Sequence, residues 1–235
     1  MHRIITRMKV ILTGATGMVG EAVLLECLDN PAVERVCSIS RRSCDRTHPK
    51  LTELPIPDFR DLRAVETKLS GYDACFYCAG ISSVGLSEAE YTAITYDTPL
   101  AFASTLSRLN PQMTFVHVSG AGTDGTEQGK VMWARVKGRA ENALMRLPFK
   151  GVYNFRPSIM KPTPGQRRVK GGYWLVRVLY PVLSLVLPGM ALRDLARAMI
   201  NAARFGAPKH VLEVADMLQL ARADMQVVDA SSVRH

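Results

Sequence analysis

The chain has 235 residues, 47% hydrophobic, 22% charged and 7% aromatic, enough to bury one large domain with at most a small appendage, and it excludes fibrous, solenoid and disulfide-scaffold architectures. Lys and Arg number 30 against 21 Asp and Glu, a formal charge of +9, which is compatible with an anionic ligand, nucleic acid or a membrane surface as partner. The excess is regional: residues 1–129 hold 12 basic and 15 acidic side chains, whereas residues 130–193 hold 13 basic ones and a single acid, Glu141.

A basic start (His2, Arg3, Arg7, Lys9) precedes an apolar run of only three residues, 10–12. That is too short for a secretory leader, so the expected compartment is the cytoplasm. A strand is expected over 9–13, followed by Gly14-Ala-Thr16-Gly17-Met18-Val19-Gly20 and a helix over 18–28. Gly14 permits a tight turn, Gly17 lets backbone approach a pyrophosphate, and Gly20 allows close helix packing, while the free N–H groups at the helix start face the anion. Thr16, Met18 and Val19 line the same loop. The Gly-Lys-Ser/Thr ending of a triphosphate-binding loop is missing, which disfavours a kinase or ATPase.

The second strand, 33–40, ends at Ser40-Arg41-Arg42. An acidic residue there would bind the adenosine ribose of NAD; serine and two arginines suit a 2′-phosphate, so NADP is expected ahead of NAD. A third strand over 51–56 leads to Asp58 and Phe59, placed for the adenine edge, and a helix is expected over 61–69. The fourth strand, 73–78, runs into Cys78-Ala79-Gly80, where backbone can pass the cofactor. Cys75 and Cys78 point to opposite faces of such a strand and cannot close on one metal, and no metal site is expected.

A helix over 88–109 carries Tyr91 and Tyr96. The fifth strand, 113–118, contains His117, expected as a buried and satisfied histidine, and opens into a polar loop from Ser119 to Glu127, where open α/β sheets present chemistry. A helix over 132–147 and a strand over 151–155 follow, then a Pro-rich basic loop over 156–172 that can fold over a ligand. In it Arg167, Arg168 and Lys170 are candidates for an acidic substrate or an outer phosphate. The apolar stretch within 173–188 is too short to span a membrane; pocket lining, core packing, a subunit contact or membrane-surface attachment are the readings it allows. A helix over 191–205, a short strand over 210–214 and a helix over 217–223 capped by Asp216 complete the chain.

Strands that are apolar throughout, alternating with helices, indicate an α/β, doubly wound parallel sheet of Rossmann type with a small C-terminal lobe. Residues 1–165 are assigned to the dinucleotide-binding domain and 166–235 to a helical substrate or interaction lobe. Over residues 9–162 the glycine motif, Asp58, Ala79-Gly80, Ser119, Trp133-Ala-Arg-Val-Lys137 and Arg156-Pro157 resemble the short-chain dehydrogenase/reductase superfamily, in particular its atypical members and relatives of the NAD-dependent epimerase/dehydratase family. The resemblance implies that Ser119 orients a substrate carbonyl or hydroxyl, that Lys137 binds the nicotinamide ribose, and that Pro157 and Ile159 contact cofactor or substrate. It also implies a catalytic tyrosine where this chain has Trp133.

Indole N–H donates a hydrogen bond but does not ionise near neutral pH, so Trp133 cannot shuttle a proton. Three readings follow: hydride transfer with another proton source (Ser119, Tyr91, Tyr96, Asp124 or water), cofactor binding without turnover in a regulatory or interaction protein, or a partly different reaction. The expected protein is an NADP-dependent oxidoreductase of a small or apolar carbonyl or alcohol, monomeric or homodimeric. The basic stretch lacks the aromatic interleaving of nucleic-acid binders, so no nucleic-acid partner is expected.

Overall fold

The structure, a computed structural model, describes residues 7–169 and 189–232, with side chains through residue 223. Lys170 and the 173–188 stretch, and with them the membrane-surface expectation, lie outside the described residues. Nine strands are described: β1 (Met8–Thr13), β2 (Val33–Ser40), β3 (Leu51–Pro55), β4 (Ala74–Tyr77), β5 (Thr114–Val118), β6 (Gly151–Phe155), β7 (Ile159–Lys161), β8 (Gly189–Ala191) and β9 (Val211–Leu212). The α-helices are α1 (Met18–Asp29), α2 (Glu88–Thr92), α3 (Thr98–Leu109), α4 (Met132–Met145), α5 (Leu192–Phe205) and α6 (Val214–Ser232).

Seven strands form one parallel sheet in the order β3-β2-β1-β4-β5-β6-β9, and β7 pairs with β8 in a separate two-stranded sheet. Alternation along each central strand feeds two cores. Val10, Leu12, Phe76, Val116 and Phe155 pack with α1 and α5, while Ile11, Cys75, Tyr77 and Phe115 pack with Phe102, Leu106 and Leu144 of α3 and α4. Cys75 and Cys78 fall on opposite sides accordingly. Each of these phenylalanines is fully buried, contributing roughly 1.5–3 kcal/mol apiece. Burial on both faces is why the strands read as unbroken apolar runs.

The sequence-based elements differ from the structure in four places, the first being the loop expected over 156–172, where Ile159–Lys161 form β7 and pair with β8. Residues 61–69 form only a 3₁₀ turn, Arg63–Lys68. The single helix expected over 88–109 is broken by a π turn, Ala93–Asp97, next to Pro99, which has no N–H for the ladder; the Thr98 N–H and Oγ1 both donate to the Ala93 carbonyl. Asp216 is not the residue before a helix at 217. It sits in the first turn of α6, where Oδ2 accepts from Glu213 N at 3.1 Å and Oδ1 from Lys209 Nζ at 2.9 Å.

The C-terminal elements build into the same body: β9 pairs with β6, and α5 lies on α1, where Arg193 and Arg197 each reach Glu26 at 3.0 Å. Among the described residues no helix is long and apolar enough to cross a membrane. The strand order reverses its chain sense between β1 and β4, leaving a crevice at their carboxyl ends, where open α/β sheets take ligands. There Gly14 turns with φ +76° and a Cβ on Gly20 would lie 2.1 Å from the Gly14 carbonyl oxygen.

Gly20→Ala must therefore push α1 off the turn, at a cost of roughly 1–3 kcal/mol. A fall of several degrees in Tm by calorimetry is expected, and an unchanged Tm would contradict the close seat of the helix.

Candidate functional site

Four turns at the carboxyl edge of the sheet converge on the crevice. Thr13 Oγ1 at the end of β1 accepts from Cys78 N and Ala79 N at 3.1 and 3.2 Å, tying the first turn to the fourth. Ser119 N donates to the Phe155 carbonyl at 2.7 Å and Ala121 N to the Pro157 carbonyl at 2.9 Å, which laces the fifth turn to the sixth. Gly17 precedes α1 with no side chain capping the helix, so the first N–H groups of α1 stay open to an anion. A Cβ on Gly80 would meet nothing within 4 Å, which leaves space over the fourth turn. This uncapped glycine turn fits a dinucleotide's pyrophosphate.

The adenosine side departs from expectation. Ser40 Oγ donates to the Arg42 carbonyl, so its proton is spent and its lone pairs remain, an arrangement that accepts from a ribose hydroxyl rather than donating to a phosphate. Arg41 and Arg42 are exposed. The Asp58 carboxylate is gripped by Arg60, whose Nη2 lies at 2.9 Å, and Phe59 packs against Phe102 with ring centroids 5.6 Å apart.

Arg167 and Arg168 are exposed and fasten their segment to the protein: the Arg167 guanidinium donates to the Asp45 carbonyl at 3.2 Å. Their backbone N–H groups donate to the buried Glu21 carboxylate at 2.7–3.0 Å, and Arg46 Nη2 joins it at 2.6 Å. Arg168 also pairs with Asp45, Arg46 Nη2 donates to the Gly165 carbonyl, and Gln166 Nε2 donates to the Met18 carbonyl at 2.7 Å. Residues 163–168 thus form a strap fastened across the first turn of α1. Burial opposes ionisation of Glu21, but the bonds from Arg46 and the two N–H groups outweigh it and hold the carboxyl below its ordinary range.

On the opposite side Ser119, Lys137 and Trp133 come together. Ser119 is buried, its hydroxyl 3.1 Å from Thr123 Oγ1, which itself donates to the Gly120 carbonyl at 2.7 Å. Lys137 lies over this turn, its Cε 4.0 Å from where a Cβ on Gly120 would be, and the rim of Trp133 is 3.4 Å from the same point on Gly122. Lys137 makes no hydrogen bond or ion pair among the described residues; burial lowers its pKa, opposed by the charge of Glu141 one turn on. His117 lies within β5 as expected, with Nδ1 3.0 Å from Asn154 Oδ1; burial and the Lys137 charge bring its pKa down to about 4. Ile159 sits in β7, opposite Gly189.

Two residues were not singled out by sequence reasoning. Gly138 lets α4 press on the Ser119 loop, for a Cβ there would overlap the Asp124 carbonyl oxygen at 1.7 Å. Glu141, legible only as the lone acid of its region, is buried and grips Arg156 at 2.6 and 3.0 Å, which fixes the turn after β6 to α4. Neither partner is near in sequence.

The sequence profile of the NAD dependent epimerase/dehydratase family matches residues 10–132. Leucinostatins biosynthesis cluster protein T of Purpureocillium lilacinum is 31% identical over 143 residues, 60% of this chain and 52% of that protein, so the match spans about half that relative's length. The WbmF enzyme of Bordetella bronchiseptica, solved with NAD+, has a similar fold (TM-score 0.65, 16% identity, 94% of this chain and 79% of that one). A short chain dehydrogenase from Burkholderia cenocepacia J2315, solved with NADP, gives TM-score 0.63 at 16% identity, covering 98% and 99% of the two chains. WbmG and WbmH of the same Bordetella are also solved with NAD or NAD+. The expectation of NADP is corrected on these grounds. The matching family is described as NAD dependent, the similar Wbm structures hold NAD, and the Ser40 proton that would have met a 2′-phosphate is engaged by backbone.

Glu21→Ala removes the strap's fastening and is expected to cost roughly 2–3 kcal/mol, with new proteolytic cleavage within 163–168. Because the folded carboxyl is depressed, its contribution is complete above the ordinary glutamate range and is lost as pH falls through the folded value. Denaturant titrations from pH 7 to pH 3 should show wild type losing its advantage over Glu21→Ala. A constant difference would contradict the latch.

Proposed function

The chain belongs to the NAD dependent epimerase/dehydratase family, and on that premise we propose that it is an NAD-dependent oxidoreductase acting on a small, largely apolar carbonyl or alcohol. The observation that carries the reading is the convergence of Ser119 and Lys137 at the end of β5, across the crevice from an uncapped glycine turn. In this reading Met18, Val19 and Gly20 offer backbone N–H groups to the pyrophosphate and Ser40 accepts from the adenosine ribose. Ala79 and Gly80 leave backbone clear beside the cofactor. NAD, when bound, supplies or accepts the hydride.

Ser119 positions the substrate oxygen and Lys137 holds the nicotinamide ribose. Trp133 closes the pocket as an apolar wall. Ile81 and Val84 on the turn after β4 and Val131 just before α4 leave large apolar side chains exposed near the same edge, which supports an apolar substrate. Residues 166–235 are proposed as the lobe that selects it.

A second reading, cofactor binding without turnover, is favoured by one observation, the indole in place of an ionisable phenol. Thermal-shift titration with NADH, followed by NADH oxidation against a panel of aldehydes and ketones of rising chain length, separates the two. The oxidoreductase stabilises with NADH and turns over, and Ser119→Ala lowers kcat/KM by about 10²-fold. Stabilisation without turnover supports the regulator; no stabilisation by either NADH or NADPH overturns both. Trp133→Tyr, which restores a phenol one helical turn from Lys137, should raise turnover by about 10-fold or more.

A further inference from the structure

Hydride transfer to a carbonyl leaves the oxygen needing a proton, and Trp133 has none to give at neutral pH. The other groups around the crevice are disqualified by their surroundings. Tyr91 is buried, and its phenol bonds Thr95. The ring of Tyr96 lies under Arg139, 4.4 Å from the guanidinium carbon to the ring centre. Asp124 accepts from Thr126 Oγ1 at 2.6 Å and from Gly129 N at 2.6 Å, and those bonds keep it a carboxylate. His117 is buried, bonded to Asn154 and neutral at pH 7. Thr123 Oγ1 gives its proton to the Gly120 carbonyl and the Ser119 hydroxyl donates to Thr123; a serine hydroxyl turned to a substrate carbonyl donates a hydrogen bond without parting with its proton, because it does not ionise near neutral pH.

Lys137 remains. Its half-buried side chain lies over the Ser119–Gly120 turn, and its ammonium has no hydrogen-bond acceptor among the described residues. The charged and titratable groups on the elements packed around it are engaged elsewhere: Glu141 with Arg156, Glu88 with Arg135, and Tyr96 with Arg139. His117 on β5 faces it as a neutral ring.

We propose that Lys137 is the proton donor of this site, its Nζ delivering the proton to the substrate oxygen that Ser119 positions, in place of the phenol that Trp133 replaces. The proposal rests on the oxidoreductase reading. In reduction the carbonyl carbon gains a hydride from NADH as the C=O π bond breaks. The oxygen gains a proton as an Nζ–H bond breaks, and the neutral amine recovers a proton from water. One proton is consumed per NADH oxidised, and the reverse sequence serves oxidation.

The test is the pH profile of carbonyl reduction by wild type, Lys137→Ala and Lys137→Arg, with NADH affinity measured separately by fluorescence and folding by calorimetry. For a donor whose pKa is depressed, wild-type kcat/KM is level at low pH and falls as pH rises through a value below the ordinary lysine one. Lys137→Arg binds NADH within about 10-fold of wild type, loses about 10²-fold or more in kcat, and shows no such descending limb. Lys137→Ala regains turnover with added primary amines, in proportion to their ammonium concentration and acidity. Rescue and loss of the limb support the assignment. Turnover by Lys137→Ala with an unchanged profile, or NADH binding by that variant with no amine rescue, overturns it alone. Absence of turnover by wild type overturns the oxidoreductase reading and this assignment with it.

Discussion

The contact between the Gly14 carbonyl and the bare Cα of Gly20 sets the rest of the molecule. With no Cβ at residue 20, α1 seats directly on the turn that leaves β1, and its uncapped N-terminus opens at the point where the strand order reverses. Thr13 then ties this turn to the one after β4, and the backbone bonds at Ser119 and Ala121 tie the fifth to the sixth. Side chains from distant segments therefore meet at one edge. A larger residue at 20 moves the helix that all of them face.

Charge is distributed by the same logic. Some basic side chains after residue 130 meet acids of the slightly acidic half before it: Arg135 with Glu88, Arg168 with Asp45, and Arg193 with Glu26. Those pairs stitch the basic stretch to the first half of the chain, whereas Glu21 takes its cation from Arg46 and backbone N–H groups from Arg167 and Arg168. Pairs that are exposed contribute little each; the buried carboxylates of Glu21, Glu26 and Glu141 matter more, because each would be left desolvated without its partners. Lys137 is the contrast, a half-buried cation over the Ser119–Gly120 turn with no partner among the described residues.

The sheet and the glycine turn were legible because their signals are local. A parallel strand covered on both sides is apolar at every position, and a turn with positive φ at Gly14 followed by a close helix needs glycine at fixed spacing. Ser119 and Lys137 were expected from resemblance, and the Lys137 side chain lies beside the turn that Ser119 opens. What was not legible depends on partners far along the chain. Leu62, Val65 and Leu69 have helical spacing, yet that segment is too short to hold more than a 3₁₀ turn. The fastening of residues 167 and 168 to Glu21 joins positions about 146 apart and uses their backbone N–H groups, which leave no mark in the side-chain pattern. The preference for a 2′-phosphate was inferred from Arg41 and Arg42 in the same way, without the backbone bond that turns the Ser40 hydroxyl aside.

The central claim is that one crevice, opened by the seat of α1, places an NAD pyrophosphate on the glycine turn and its nicotinamide beside Ser119 and Lys137. A crystal structure of the NAD+ complex tests it most directly. The account predicts pyrophosphate oxygens on the N–H groups at the start of α1, Ser40 accepting from a ribose hydroxyl, and the nicotinamide ring over the Ser119–Gly120 turn within reach of Lys137 Nζ. A dinucleotide bound elsewhere, or one whose nicotinamide points away from that turn, would contradict it.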